Sequence, residues 1–220
     1  MIRFNNVTKT FEQGSKTIHV LENLDFNLDL QGTAAVVGKS GSGKSTFLSL
    51  LAGLDRPTSG DIYLKDTKIS HLGENELTKF RARNIGIVFQ NFHLISNFTA
   101  LENVMLPLEV LNIPDVRKKA EQALDLVGLS ERMGHFPSQL SGGESQRVAI
   151  ARAFVCRPTI LLADEPSGSL DPETGENVMR ILFDTAKELG QTMILVTHDF
   201  ELAKKCDVTY EIKNHMIFQQ

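Results

Sequence analysis

The sequence predicts an α/β fold with a parallel sheet at its core, an N-terminal antiparallel β region and an inserted helical segment. Four short apolar runs indicate the parallel strands, because strands that are covered on both faces are apolar throughout. These runs lie at residues 34–37, 85–89, 159–163 and 193–196. The chain has 220 residues, 41% of them hydrophobic and 23% charged, which is enough to bury such a core and argues against disorder.

Two segments near the N-terminus, residues 2–7 and about 18–30, alternate apolar and polar side chains around a polar loop. Such alternation is typical of antiparallel strands with one solvated face. The apolar positions of the second segment are Val20, Leu24, Phe26, Leu28 and Leu30. Near the C-terminus, residues 208–212 and 216–218 flank residues 213–215 and predict a hairpin, although its turn lacks the glycine that tight hairpins favour, which leaves the register open.

A helical insert is indicated between Asn91 and about Gln139, where no strand-like run occurs. Residues 100–111 and 116–127 have helical patterns; Pro107 predicts a kink or an early stop in the first, and Pro114 separates the two. The prediction is therefore one domain over residues 1–220. Its two parts are a core with the antiparallel region, at about 1–90 and 157–220, and a helical subdomain, at about 91–156.

The charge and cysteine content exclude several functional classes. A formal net charge of −4 provides no overall basic field for a nucleic-acid backbone or an anionic membrane. Cys156 and Cys206 show no CxxC spacing, so neither a disulfide framework nor a zinc site is supported, and reduced thiols in a cytosol are expected. The first residues lack the features of a signal peptide, and no apolar run approaches the roughly 18 residues of a membrane span. We therefore expect the chain to reach a membrane only through a partner.

A glycine-rich segment, residues 38–46, follows the apolar run that ends at Val37 and leads into an apolar helix start, which is the context of a P-loop. Its glycines let successive N–H groups point at phosphate oxygens, Lys44 reaches the β- and γ-phosphates, and Ser45 ligates Mg²⁺. The alternative is a purely structural turn. The predicted nucleotide contacts are Gly38, Ser40, Gly41, Ser42, Gly43, Lys44, Ser45 and Thr46. Lys39 stays outside this set, because its position in a P-loop is usually small or uncharged.

Two carboxylates, Asp164 and Glu165, follow the third apolar run, and Pro166 stops it. In a P-loop protein a carboxylate at this edge can hold Mg²⁺, which is the role we predict for Asp164. Glu165 can orient and polarise the water that attacks the γ-phosphate. Alone, such a pair would more often be a solvated strand end, and its combination with a P-loop favours the catalytic interpretation.

The segment Leu140-Ser141-Gly142-Gly143-Glu144 opens an amphipathic helix and is a second turn suited to anions, although Ser141 by itself is only a good N-cap. With these motifs in this order, the chain resembles the ATP-binding subunits of ABC transporters, whose LSGGQ-like signature is here LSGGE. The resemblance covers essentially the whole chain. It implies a P-loop NTPase of the ABC ATPase type that binds ATP and Mg²⁺ and hydrolyses ATP.

In that family the signature of one subunit binds the γ-phosphate held by the P-loop of another. The resemblance therefore implies a head-to-tail homodimer that sandwiches ATP, with Ser141, Gly142 and Gly143 as the contact across the interface. Asp171, in a segment that resembles the D-loop of the family, would communicate across the same interface.

Three further site residues are implied by the resemblance alone. Gln90 matches the family's glutamine that reaches the metal and senses the membrane subunit. His198 matches the switch histidine that contacts the γ-phosphate, although an isolated histidine at a strand end is more often an ordinary surface residue. Phe11 is the candidate for stacking on adenine, where tyrosine is commoner; stacking requires only a π-face, so the change is tolerable.

Segments 83–90 and 98–104, with the signature helix and the stretch LADEPSGSLD, resemble the LolD/MacB/FtsE group, and YbbA-like members most. This implies a cytoplasmic subunit, peripheral on the inner membrane, that transmits force to a permease with a periplasmic domain and, in some systems, a periplasmic accessory protein. The docking region expected for the permease is 91–111. The alternative for its apolar residues Phe92, Leu94, Ile95 and Phe98 is packing in the subdomain's own core, which is the better expectation for most of them. The substrate stays open among lipoprotein, lipid, peptide toxin and cell-wall regulation.

The sequence is less consistent with two other functions. A soluble ABC ATPase of DNA repair or translation usually has two cassettes or a long coiled-coil insertion, which do not fit this length, and the acidic charge also opposes it, so no nucleic-acid partner is expected. A scaffold without ATPase activity is disfavoured, since all five residues required for hydrolysis are present: Lys44, Gln90, Asp164, Glu165 and His198.

Overall fold

The computed structural model describes residues 1–29 and 31–220, and these form ten β-strands and seven α-helices. In chain order they are β1 (Ile2–Gln13), β2 (Lys16–Leu28), β3 (Gly32–Val37), α1 (Lys44–Leu51), β4 (Ser59–Leu64), β5 (Thr67–Lys68), α2 (Glu74–Asn84), β6 (Ile85–Phe89), α3 (Ala100–Val110), α4 (Val116–Leu126), α5 (Gly142–Phe154), β7 (Ile160–Asp164), α6 (Pro172–Glu188), β8 (Thr192–Val196), α7 (Phe200–Ala203), β9 (Val208–Lys213) and β10 (Met216–Gln219). The chain divides into two compact units, residues 1–81 with 192–220 and residues 82–191.

An antiparallel sheet of order β2-β1-β4-β5 lies in the first unit. Its first two strands pair antiparallel with Phe4 opposite Phe26, which confirms the predicted antiparallel region; Leu30, predicted as its last apolar position, lies outside the described residues. The ring of Phe47, on α1, stacks on Phe4 at 5.0 Å and meets Phe26 edge-on at 5.1 Å. All three rings are buried. Such pairs each stabilise by about 0.5–1.5 kcal/mol beyond their burial, so this cluster holds the sheet against α1.

The first unit also contains strands in the order β10-β9-β3-β8, with β3 parallel to both β8 and β9. Residues 34–37 of β3 are fully buried, as their apolar run predicts. The terminal hairpin is confirmed, and its open register is settled by the pairing of Lys213 with Met216. The two turn residues adopt left-handed backbone, φ 50° at Asn214 and 65° at His215. Asparagine tolerates this conformation well, so the turn forms without glycine.

In the second unit β6 and β7 pair in parallel, from Ile85 opposite Ile160 to Phe89 opposite Asp164. Gly86 lies against the end of α5, where an added Cβ would stand 2.4 Å from the Ala153 carbonyl oxygen. The helices α3, α4 and α5 pack on one another through buried apolar side chains: Val104, Leu108, Ala120, Leu124, Val148 and Ala149. No helix among the described residues has both the length and the hydropathy needed to cross a membrane.

The insert between Asn91 and Gln139 contains helices and turns without a strand, as predicted. A kink or an early stop was predicted at Pro107; the early stop does not occur, because α3 continues to Val110, and the kink stays a prediction. Proline removes one hydrogen bond, to the carbonyl of the residue four positions earlier. Here a capping box at Thr99 starts the helix, and buried Val104 and Leu108 pack on either side of the proline, which outweighs that loss.

Candidate functional site

The loop between β3 and α1 is tightly wound at two of its glycines. A Cβ at Gly38 would stand 2.6 Å from Ser42 Oγ and 2.7 Å from the Ile212 carbonyl oxygen. At Gly43 (φ 102°) it would be 3.1 Å from Val20 on β2. Gly41, by contrast, has no atom within 4 Å of an added Cβ. The loop is therefore anchored at both ends and open in its middle, as a phosphate cradle requires.

The N-terminus of α1 suits an anion. Gly43 is its N-cap and supplies no side-chain hydrogen bond, and the first turn carries no acidic residue. In α3, α5, α6 and α7 a serine, threonine or aspartate side chain caps this position instead. The N–H groups at the start of α1 therefore have no side-chain acceptor from the cap and present the positive end of the helix dipole to the loop.

Lys44 is buried and folds back over this loop. Its Nζ donates to the Gly38 carbonyl oxygen at 2.9 Å and to the Lys39 carbonyl oxygen at 3.1 Å. The cation is thereby held above the same backbone that would surround a phosphate. Lys39 itself is exposed, so its carbonyl takes part in the loop and its side chain faces solvent.

His198 and Phe11 lie in the same unit as the P-loop. The Thr197 N–H donates to the Val36 carbonyl oxygen at 3.2 Å, so β8 stays paired with β3 up to the residue before His198, which is exposed. Phe11 is 43% exposed on β1 and pairs with Ile18, two positions from Val20, which borders the P-loop at Gly43. The hairpin of β1 and β2 thus carries an accessible aromatic residue and also borders the phosphate loop through Val20.

In the second unit, Gln90, Asp164 and Glu165 come together at the carboxyl ends of β6 and β7, since Phe89 pairs with Asp164. Gln90 packs against the turn that follows Glu165. A Cβ at Gly168 would stand 2.9 Å from Gln90 Nε2, and Ser169 Oγ donates to the Gln90 carbonyl oxygen at 2.9 Å.

The backbone at Glu165 is itself unusual. Its φ is 44°, a left-handed conformation that is uncommon for a glutamate and that clusters at functional sites. The Gly168 N–H donates to the Glu165 carbonyl oxygen at 2.9 Å and closes the turn. The side chain is half-buried next to a strand end, where a general base must be held in one orientation.

The signature turn caps α5. Ser141 Oγ accepts from the Glu144 N–H at 3.2 Å, and Glu144 accepts from the Ser141 N–H and from Arg132 Nε, both at 2.8 Å. The Ser141 backbone N–H, followed by the Arg132 guanidinium, lowers the pKa of Glu144 to about 2. The carboxylate that replaces the usual glutamine is therefore ionised at neutral pH and paired with an arginine.

The two signature glycines also lie where packing leaves little space for a side chain. A Cβ at Gly142 would be 3.1 Å from Leu170 Cδ2, and one at Gly143 would be 2.4 Å from Thr174 Cγ2 on α6. Asp171 caps α6 by accepting from the Thr174 N–H at 3.0 Å, and that N–H lowers the pKa of the Asp171 carboxyl. Signature and D-loop segments therefore lie against each other within the second unit.

Sequence reasoning missed Arg152, on α5. Its guanidinium donates to the carbonyl oxygens of Phe92 at 2.7 Å and His93 at 2.6 Å, and both acceptor residues have left-handed backbone just after Gln90. Burial lowers the pKa of the guanidinium. The acceptors are backbone atoms about sixty positions away, so no local pattern marks this contact.

Comparison with known proteins agrees with these motifs. The sequence model of the ABC transporter family matches residues 21–168, more than half of the chain. The lipoprotein-releasing system ATP-binding protein LolD of Idiomarina loihiensis is 42% identical over 222 residues, which cover 100% of this chain and 97% of that protein. The chain belongs to the ABC transporter family.

Two further comparisons extend this result. The uncharacterized ABC transporter ATP-binding protein MJ0796 of Methanocaldococcus jannaschii is 46% identical over 210 residues, covering 93% of this chain and 89% of that one. A dimeric structure of the MJ0796 cassette in a post-hydrolysis state, bound to ADP and Pi, matches with a TM-score of 0.91 at 40% identity, covering 100% and 98% of the two chains.

These comparisons confirm three predictions: the ABC ATPase fold with its parallel and antiparallel strands, the resemblance to the LolD/MacB/FtsE group, and the function as an ATP-hydrolysing subunit of an ABC transporter. The roles assigned to individual residues and the predicted domain boundaries stay predictions.

Proposed function

We propose that two copies of this chain bind Mg-ATP between them and use its hydrolysis to drive a separate permease in the inner membrane. The observation that best supports a nucleotide site is the start of α1, which has no side-chain cap and lies beneath Lys44, the lysine that folds over the loop. Gly38 to Thr46 would hold the phosphates, and Phe11 would stack on adenine. The MJ0796 cassette, bound to ADP and Pi, supports this assignment.

The reaction is a phosphoryl transfer to water, for which positioning and charge stabilisation are the main requirements. Glu165 would orient the attacking water, Lys44 and His198 would contact the γ-phosphate, and Gln90 would link this chemistry to the membrane subunit. The conformation of Glu165 and its position beside Gln90 support the first and last of these roles.

The three residues that the family resemblance assigns to magnesium are all oxygen donors. Ser45, Gln90 and Asp164 supply a hydroxyl, an amide oxygen and one carboxylate, all hard oxygen ligands. Mg²⁺ commonly uses one or two carboxylates together with substrate phosphates and water, so this modest set suits an ion that arrives with the nucleotide. Its contribution would be to neutralise charge between the phosphates.

The dimer would be head-to-tail, with Ser141, Gly142 and Gly143 of one copy facing the P-loop of the other. Ser141 and Gly142 are exposed, as a surface that meets a second copy requires, whereas Gly143 is buried against α6 and would contribute through its backbone. We further propose that the chain has two functional parts: a helical subdomain, residues 91–156, and a core formed by residues 1–90 and 157–220.

The permease would dock on residues 91–111. Phe92, Leu94, Ile95 and Phe98 are all half-buried, so each keeps apolar surface available outside its own unit's core. The 42% sequence identity to LolD favours a lipoprotein or another lipidic cargo. The chain would move this cargo by transmitting force to a permease with a periplasmic domain and, where present, a periplasmic accessory protein. The chain would then lie peripherally on the cytoplasmic face of the inner membrane.

Replacing Glu165 by Gln tests the proposed chemistry. We expect ATP hydrolysis to fall by about 10²- to 10⁴-fold, because a positioned general base contributes that much. ATP-dependent dimerisation, followed by light scattering, should persist. The matched control is Glu176→Gln, an exposed glutamate on α6, which should hydrolyse ATP at the wild-type rate. Near-normal turnover of Glu165→Gln contradicts the assigned role.

Replacing Lys44 by Ala tests the nucleotide site separately. We expect loss of measurable ADP and ATP binding by calorimetry, because the cation that faces the phosphates is removed. Unchanged binding refutes the phosphate cradle. The membrane protein that copurifies with the intact chain then tests the transport assignment: a permease with a periplasmic domain is expected, and a stable complex with DNA or ribosomes contradicts it.

A further inference from the structure

The aromatic ring proposed to stack on adenine has a cation on one of its faces. Lys9 Nζ lies over the ring of Phe11, 4.7 Å from its centroid. The side chain of Lys9 is only 11% exposed, so this ammonium is held inside the first unit and is not a mobile surface charge. An ammonium at this distance from an aromatic face is attracted by the ring quadrupole.

Two further bonds fix the position of that ammonium. Nζ donates to Asp55 Oδ1 at 2.7 Å and to the Arg56 carbonyl oxygen at 2.9 Å. A lysine ammonium has three N–H donors, so two acceptors leave one donor for the ring. The Asp55 carboxylate also accepts from the Arg56 N–H at 2.7 Å, which orders the acceptor itself.

The acceptors of Lys9 belong to the turn that ends α1. The N–H groups of Leu54 and Asp55 donate to the Ser49 carbonyl oxygen, at 2.9 Å and 3.3 Å. Through this turn, Lys9 connects the strand that carries Phe11 to the helix that begins at the P-loop. A hydrogen-bonded path therefore runs from the phosphate-binding helix to the base of the aromatic ring.

The arrangement leaves one face of Phe11 for a ligand. Phe11 is 43% exposed although Lys9 Nζ lies over one face of its ring, so we infer that a ligand would approach the opposite face. A cation draws π-electron density toward its own side, and the opposite face then stacks more favourably on an electron-rich purine. Holding the ring in one orientation also reduces the ordering cost of binding.

We propose that Lys9 is a positioning residue for nucleobase binding: it holds the Phe11 ring and polarises it, so that a purine stacks on the opposite face. This inference rests on the proposed function of Phe11 and adds to it a residue that does not contact the nucleotide. Its effect should depend on the base and leave phosphate binding unchanged.

The test compares binding of ADP with binding of inorganic pyrophosphate, both with Mg²⁺, by calorimetry. For Lys9→Met we expect the Kd of ADP to rise about three- to tenfold, the effect of releasing one immobilised side chain. The Kd of pyrophosphate should stay unchanged, because that probe has no base. Lys9→Arg keeps a cation and should restore most of the ADP affinity, whereas Lys9→Gln, without a charge, should not.

Lys68→Met is the matched control. Lys68 also pairs with an aspartate, Asp61 at 2.9 Å, and lies 5.9 Å from an aromatic ring, that of Tyr63, in the same sheet. Its removal should leave both Kd values at the wild-type level. Thermal unfolding of each variant shows whether it is folded, and Lys9→Gln replaces Lys9→Met if the latter is not.

Phe11→Ala distinguishes the proposed stacking role of Phe11 from the proposed positioning role of Lys9. If Phe11→Ala leaves ADP binding unchanged, the proposed stacking role fails. If it weakens ADP binding while Lys9→Met and Lys9→Gln do not, only the present inference fails. The double variant Lys9→Met with Phe11→Ala should bind ADP no more weakly than Phe11→Ala alone, because Lys9 acts through the ring; additive losses, or a loss of pyrophosphate binding, overturn the proposal.

Discussion

Removing the Glu144 carboxylate, in the signature turn, should destabilise the protein in a way that depends on pH. The carboxylate accepts two charge-assisted hydrogen bonds, from the Ser141 N–H and from Arg132 Nε, each at 2.8 Å. Glu144→Ala removes both bonds and also the negative charge at the start of α5. Glu144→Gln keeps an acceptor for the Ser141 N–H, as glutamine does in other capping boxes, and loses only the charge.

The magnitude follows from these contacts. A lost cap costs about 1 kcal/mol, a partly exposed ion pair about 0.5 kcal/mol, and the charge at a helix N-terminus about 0.5 kcal/mol. We therefore expect Glu144→Ala to lower the free energy of unfolding by about 2 kcal/mol at pH 7, and Glu144→Gln by about 1 kcal/mol. The depression of the Glu144 pKa to about 2 sets a ceiling of about 3 kcal/mol, which solvent screening of this surface site reduces.

The sign of the pH dependence is fixed by the direction of the pKa shift. The folded-state pKa is lowered from 4.5 to about 2, so the unfolded chain takes up a proton first. The stabilisation is complete above about pH 5 and declines as the pH falls toward 2. Urea unfolding of wild type and Glu144→Ala at pH 7 and pH 3.5 should show the difference between them shrinking by about 1 kcal/mol.

Glu102→Gln provides the comparison. Glu102 belongs to the capping box of α3 and accepts from the Thr99 N–H at 2.7 Å. Among the salt bridges of the described residues, none joins Glu102 to an arginine. The Glu102→Gln variant should therefore show a smaller decrease in the free energy of unfolding than Glu144→Gln does. A difference between wild type and Glu144→Ala that is the same at both pH values would refute the claim that the ionised carboxylate is the source of the stability.

Three other predictions follow from buried contacts. Gly143→Ala should lower the free energy of unfolding by about 1–3 kcal/mol through its clash with Thr174, and adding Thr174→Ser, which removes the clashing methyl, should recover most of it in urea unfolding. Asn103→Leu should cost about 3 kcal/mol in the same assay, because fully buried Asn103 makes four hydrogen bonds to the loop before α3. Burial raises the thiol pKa of Cys156 and Cys206 to about 11, so a thiol reagent at pH 8 should label both slowly in the native protein and quickly in urea.

The parts of the fold that sequence predicts well are those set by local chemistry. The P-loop is recognisable because its glycines, its lysine and the flanking strand and helix are contiguous, and Gly38 and Gly43 are indeed required by close approach. The terminal hairpin is similar, since Asn214 suits a left-handed turn and compensates for the missing glycine. Alternation at Ile62 and Leu64 marks β4 in the same way, although that strand was not among the predicted ones.

The parts that sequence does not predict depend on contacts between distant residues. From the sequence alone Lys9 is an ordinary polar residue of a strand, because its partner Asp55 lies forty-six positions away. Arg152 is likewise one of several arginines until its backbone acceptors after Gln90 are known. Pro107 shows the converse, because a local rule for helix termination is overridden by buried neighbours on the same helix.

The signature glycines show why a motif alone does not establish a mechanism. Gly143 lies where a side chain would collide with Thr174, so this glycine is required for packing within one subunit, whatever a second subunit does. Loss of ATPase activity in a Gly143 variant therefore does not by itself demonstrate a phosphate contact across a dimer. The combination with Thr174→Ser separates the two effects, because it relieves the clash with the Thr174 methyl group and keeps the substitution at position 143, which is buried. If activity returns together with stability, the glycine serves packing; if stability returns and ATP-dependent dimerisation does not, the glycine serves the interface.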